Sequence, residues 1–127
     1  MKGNSTRRWA AVLIGAVGAV HLLLVPEYLG EQPYLGMLFA LGTAGCALVS
    51  TRLWQSEDTA SWVFGSFVAA GMAIGFVLSR TVGLPGFHES DWELSGVVSL
   101  LLELLFMAVA VVGLRSRKHA SLKTSQA

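Results

Sequence analysis

Ser79-Arg80-Thr81-Val82-Gly83-Leu84-Pro85-Gly86-Phe87-His88-Glu89-Ser90-Asp91-Trp92-Glu93 is a polar island in an apolar chain. It gathers glycine, proline, acids and a histidine, and it cannot continue a helix. Gly83 favours a left-handed cap, and Pro85 lacks the amide that a further turn would need. Both flanks are apolar. Residues 60–79 contain no Asp, Glu, Lys or Arg, and residues 94–114 contain only Glu103. Two more such runs, 34–51 and 9–26, precede them. The four windows are 18–21 residues long, the length needed to cross a hydrocarbon core of ~30 Å. Soluble core helices are shorter and keep a polar face. The pattern therefore predicts an all-α fold: a four-helix transmembrane bundle.

Composition agrees. The 127 residues suffice for one domain. Charged residues make up 13%, about half of the ~25% usual in soluble domains. A net charge of +1 gives no case for nucleic acid as a partner. The single cysteine, Cys46, cannot close an intrachain disulfide and reads as a small packing residue.

The charges set an orientation. Lys2, Arg7 and Arg8 precede the first run, Arg52 follows the second, and Arg115, Arg117, Lys118 and Lys123 follow the fourth. The other two connections hold Arg80 against Glu27, Glu31, Glu89, Asp91 and Glu93. The positive-inside rule then places both termini and the 52–59 loop in the cytoplasm. The aromatics point the same way, with Trp9, Trp54 and Trp62 at the inner interface and Tyr28, Tyr34 and Trp92 at the outer. Residues 1–8 are read as a cytoplasmic segment, 9–114 as the transmembrane domain, and 115–127 as a basic cytoplasmic tail whose polar composition predicts disorder. The first run is long for a signal core, and Val25-Pro26-Glu27 is no small-x-small cleavage site, so an uncleaved helix is expected.

Finer boundaries follow from caps. Helix 1 is expected to begin after Ser5 or Thr6 and to end near Pro26, helix 2 to begin at Pro33, and helix 3 to end near Gly83. Ser90-x-x-Glu93 fits a capping box for helix 4. Gly71 and Gly75 form a small-xxx-small pair, which in lipid serves close helix packing.

Three ionisable residues lie within or at the end of apolar runs. Glu103 falls near the middle of helix 4, where a charged acid costs roughly 2.5–3.5 kcal/mol. Gly96 and Ser99 share its helical stripe. Glu103 reads either as a proton-carrying or ligand-binding carboxyl, or as a protonated acid that fixes packing. His21, with Gly18 on its face, reads as a relay or ligand residue, or as a hydrogen-bonded packing residue. Arg80 closes helix 3 beneath the acidic loop and is expected to pair with Glu27, Glu31 or Glu103. Ligand binding or proton relay is thus assigned to His21, Arg80, Glu103, Glu27 and Glu31. His21, His88 and Glu103 form a candidate metal set of nitrogen and oxygen donors suited to a divalent ion. Haem would need two facing histidines, which only His21 and His88 could supply from one side.

The segment Ser79-Arg80-Thr81-Val82-Gly83-Leu84-Pro85-Gly86-Phe87, continuing to Trp92-Glu93, is similar to a stretch of small uncharacterised bacterial four-helix membrane proteins. His21, Pro26-Glu27 and Pro33-Tyr34-Leu35-Gly36 resemble their first outer hairpin. The overall layout also resembles the DoxX-like four-helix proteins. The resemblance covers the helices and not the tail. It implies the four-helix fold and a bacterial inner membrane, and brings no assigned activity.

Three functions remain open at this point. The first is a membrane protein with an outer-facing polar pocket for a cation, protons or a small polar ligand, associated with transport. The second is an accessory subunit whose buried polar groups only fix packing. The third is a redox, haem-binding or metal-binding subunit. Enzyme readings lack parts: there is no Gly-x-Ser-x-Gly, no phosphate-cradling loop and no thiol pair. The lipid bilayer is the expected partner, and the small size predicts a homo-oligomer or a partner membrane subunit.

Overall fold

An apolar run of about 20 residues satisfies its own amides and carbonyls most simply as a helix. All four runs do so in the computed structural model, which describes residues 2–56 and 59–126, with side chains over 5–56 and 59–116. Helix α1 spans Lys2–Glu31, α2 Pro33–Gln55, α3 Thr59–Arg80 and α4 Leu94–Gln126. The segments Ser5–Glu31, Pro33–Gln55, Thr59–Arg80 and Leu94–Ser116 have mean hydropathies of 2.1, 1.5, 1.8 and 2.6. The shortest has 22 residues, or about 33 Å of helix at 1.5 Å per residue. Each is therefore long and apolar enough to cross a membrane.

Successive helices run antiparallel, and α4 closes the ring on α1. Outward faces are apolar: Leu23 and Leu94 are each 80% exposed. The close-packed core lies in the half nearer the chain termini. There Ala10, Ile14 and Val17 of α1 meet Cys46, Val49 and Leu53 of α2, Trp62 and Ala69 of α3, and Phe106 and Ala110 of α4. Gly65 and Gly113 admit these rings: a Cβ on Gly65 would lie 2.7 Å from Phe106, and one on Gly113 2.7 Å from Trp62. Trp62 is thus a core residue and not an interface marker. Tyr28, likewise expected at an interface, is buried at the other end.

Several boundaries differ from expectation. Helix α1 continues through Pro26 to Glu31. Proline costs one backbone hydrogen bond, but this one lies near the end of the helix, where the Gln32 amide donates to Tyr28 O at 2.8 Å and closes the last turn. Gln32 alone, in extended conformation, links α1 to α2. The expected capping box is absent. Helix α4 starts at Leu94, the Val97 amide donates to Glu93 O at 3.0 Å, and Ser90 lies outside the helix. The α4 backbone also stays helical through the basic tail to Gln126, where composition predicts disorder; Ala127 lies outside the described residues. Gly71 and Gly75 do not mediate helix contact, since a Cβ on either would meet nothing within 4 Å.

The 81–93 connection is built by its glycines and its proline. The Gly83 amide donates to Leu78 O at 2.7 Å with φ +93°, ending α3 as expected. Leu84 and Phe87 then exchange backbone hydrogen bonds of 2.7 and 2.9 Å around Pro85 and Gly86 (φ +69°). This is the sequence preference of a type II turn, with proline second and a positive-φ residue third.

Candidate functional site

The half of the bundle nearer the 81–93 connection is hollow. A cavity of about 540 Å³ lies among all four helices there, lined by His21, Arg80 and Glu103 together. The three ionisable residues of the apolar runs thus share one space.

At its deep end, α1 and α4 bring His21, Ser99 and Glu103 together. All three are buried, Glu103 to 1% exposure. His21 Nδ1 lies 2.9 Å from Val17 O. A carbonyl can only accept, so Nδ1 carries a proton and Nε2 is left facing Glu103. His21 Nε2 stands 4.0 Å from Glu103 Oε2, and the same oxygen accepts a 2.7 Å hydrogen bond from Ser99 Oγ. Glu103 Oε1 is buried without a hydrogen-bond partner. Ser99 sits one turn from Glu103 on α4, which is why the pair faces one way. Chemically, the cluster offers a carboxyl, an imidazole nitrogen and a hydroxyl, a set that can hold one proton or grip one hydrogen-bonding group.

At the other end, Arg80 is held by several partners at once. Its Nε donates to Asp91 O at 3.0 Å and its guanidinium donates to Ser79 Oγ at 2.8 Å and Tyr28 OH at 3.4 Å. The Glu93 carboxylate lies 3.9 Å away, and the Phe76 ring lies beneath the cation at 4.6 Å. The expected pairing with Glu27, Glu31 or Glu103 is replaced by Glu93, because the helix ends at Arg80 and its side chain meets the returning chain first. Arg80 is therefore a latch between α3, the α4 entry and Tyr28 of α1.

The outer acidic set does not converge. Glu27 and Glu31 are exposed and line no part of the cavity. His88 is also exposed, and its Nε2 donates to Thr81 O at 2.9 Å. The metal set His21, His88 and Glu103 is thus divided between the loop surface and the bundle interior. Among the described residues, no three His, Cys, Asp or Glu side chains gather to hold a metal. His21 lines the cavity and His88 does not, so the two histidines do not share that space.

Aromatic residues join the two ends. Phe39 packs between His21 (4.9 Å between ring centroids) and Tyr28 (4.5 Å), and Tyr28 meets Phe87 at 5.6 Å. The sequence marks Tyr28 only as an outer-interface aromatic and does not single out Phe39. Tyr28 lies two helical turns beyond His21, a spacing that carries the signal. Comparison of the chain with family models, with curated proteins and with solved structures finds no match.

Proposed function

We propose that this chain is a four-span membrane protein that holds a small ligand in its cavity, with His21, Ser99 and Glu103 as the recognition group. The observation that carries the reading is Glu103. It is a buried acid with one oxygen bonded to Ser99 and the other unpartnered, in the wall of a cavity of about 540 Å³. Leaving a buried polar atom unpaired costs about 1–3 kcal/mol, and the volume is within the ~300–1,000 Å³ of small-molecule sites. The hollow beside it is what a purely architectural role leaves unexplained, since packing α4 against α1 needs no empty volume there. The bilayer is the partner, bacterial inner membrane the location, and the basic termini face the cytoplasm, as the distribution of Lys and Arg favours. A homo-oligomer or a partner subunit remains part of this reading, given the chain's 127 residues.

Native mass spectrometry of protein released from mild detergent tests it. The wild type should carry a small-molecule adduct that falls at least ~10-fold in Glu103→Gln, as loss of one hydrogen bond of about 1.4 kcal/mol requires. Both proteins should insert and melt alike to within a few degrees. Equal adduct levels with a large drop in melting temperature would instead support the packing role, which the His21–Glu103 approach across α1 and α4 also fits.

A further inference from the structure

We propose that the cavity is loaded sideways from the lipid phase, through the gap between α2 and α3, and that its occupant is an uncharged amphiphile whose hydroxyl head donates a hydrogen bond to Glu103. This rests on the cavity being a ligand site, and adds the route and the chemical class.

The route follows from where the wall is thick and where it is thin. Toward the aqueous end the cavity is roofed by Leu84, Pro85 and Phe87. That roof is strapped to the α1–α2 hairpin: Tyr34 OH donates to Pro85 O, and Gln32 Nε2 donates to Gly86 O at 2.8 Å. Arg80 holds the far side of the loop through Asp91 O and Glu93. The flank is different. Leu41 of α2 and Phe67 of α3 line the cavity yet are 68% and 76% exposed, so the inner wall there is also the outer surface. Gly71 and Gly75 complete the α3 edge with open space where side chains would stand. In a bilayer, that opening faces acyl chains and not water.

The class follows from the lining. Between its two polar ends the cavity is walled by aliphatic and aromatic side chains such as Leu24, Leu38, Val68 and Met72, which suit an apolar body. The deep end presents a carboxyl whose Oε1 lacks a partner, beside His21 Nε2. The deep end offers no cation to a phosphate or carboxylate head, which would lose its water there uncompensated, whereas an alcohol or phenol can donate to Oε1.

The test uses the full chain in phosphatidylcholine nanodiscs with two carbodiimides, which modify carboxyl groups. One is the membrane-soluble dicyclohexyl reagent and the other a water-soluble, charged analogue. Peptide mass spectrometry should find Glu103 modified at least ~10-fold faster by the apolar reagent. Gly71→Leu and Gly75→Leu, each placed where nothing lies within 4 Å, should slow that modification ~10-fold at unchanged melting temperature. Added dodecanol should protect Glu103, and dodecyl phosphate should not. Faster modification by the charged reagent, or no effect of either leucine, overturns the lateral route. Protection by the phosphate, or none by the alcohol, overturns the class. In either case an adduct that is still lost in Glu103→Gln would leave the ligand site itself standing. No modification by either reagent, together with no such adduct, would remove both.

Discussion

At the scale of single residues, glycine has opposite meanings in the two halves of the bundle. Gly65 is a contact: a Cβ would stand 2.7 Å from Phe106 and 2.9 Å from Val49. Overpacking of that kind costs about 1–3 kcal/mol. Gly71 faces open space, and replacing helical glycine by alanine there gains up to about 1 kcal/mol. Thermal unfolding in detergent should therefore fall for Gly65→Ala and hold or rise for Gly71→Ala. Equal losses would mean that α2 and α3 close on Gly71 as tightly as α3 and α4 close on Gly65. His21 shows the same dependence on surroundings. Its sequence position left relay and packing roles open. The Nδ1 bond to Val17 O uses one nitrogen locally and leaves the other for Glu103.

At the scale of elements, the ends of helices decide what the middle can do. Arg7 donates to Leu53 O at 2.7 Å and Trp54 O at 2.6 Å, satisfying carbonyls that α2 leaves free at its last turn. Its charge alone was read as a topology signal, yet it also staples α1 to α2. Arg7→Ala should lower stability by about 1.5–3 kcal/mol, the usual range for bonds to a charged group. Amide exchange should then quicken over residues 50–55. Arg7→Lys should recover part of the loss, since both bonds come from one nitrogen, Nη1, which an ammonium can imitate without the guanidinium's fixed planar geometry. The α1–α2 link, a single residue long, sets the other end. Because α1 passes through Pro26, Tyr28 stays on the helix and reaches Arg80 and Phe39.

At the scale of the whole molecule, the outer faces are apolar, and the proposed orientation, with the basic termini inside, can be tested directly. In intact bacteria expressing a Cys46→Ala background, a membrane-impermeant maleimide should label Glu89→Cys. It should reach Gln55→Cys only after lysis. The reverse pattern would invert the topology and place the roofed end of the cavity in the cytoplasm. The bundle is also uneven along its axis: a dense half around Trp62 and Phe106, and a hollow half around Glu103.

The existence of four long apolar helices was legible from the sequence, because a run of some 20 residues without charge is a local property that no partner can supply. So was the identity of the exceptional residues, since an acid or histidine in such a run stands out by cost alone. Tertiary structure decided which exceptions meet. Arg80 turned to Glu93, while His88, Glu27 and Glu31 stayed on the surface. Glu103 and His21 came within 4.0 Å. Glycine in a helix reads the same whether it lets two backbones touch or leaves a gap between them. Only the separation of α2 and α3 made Gly71 and Gly75 part of a cavity, and that separation depends on every helix at once.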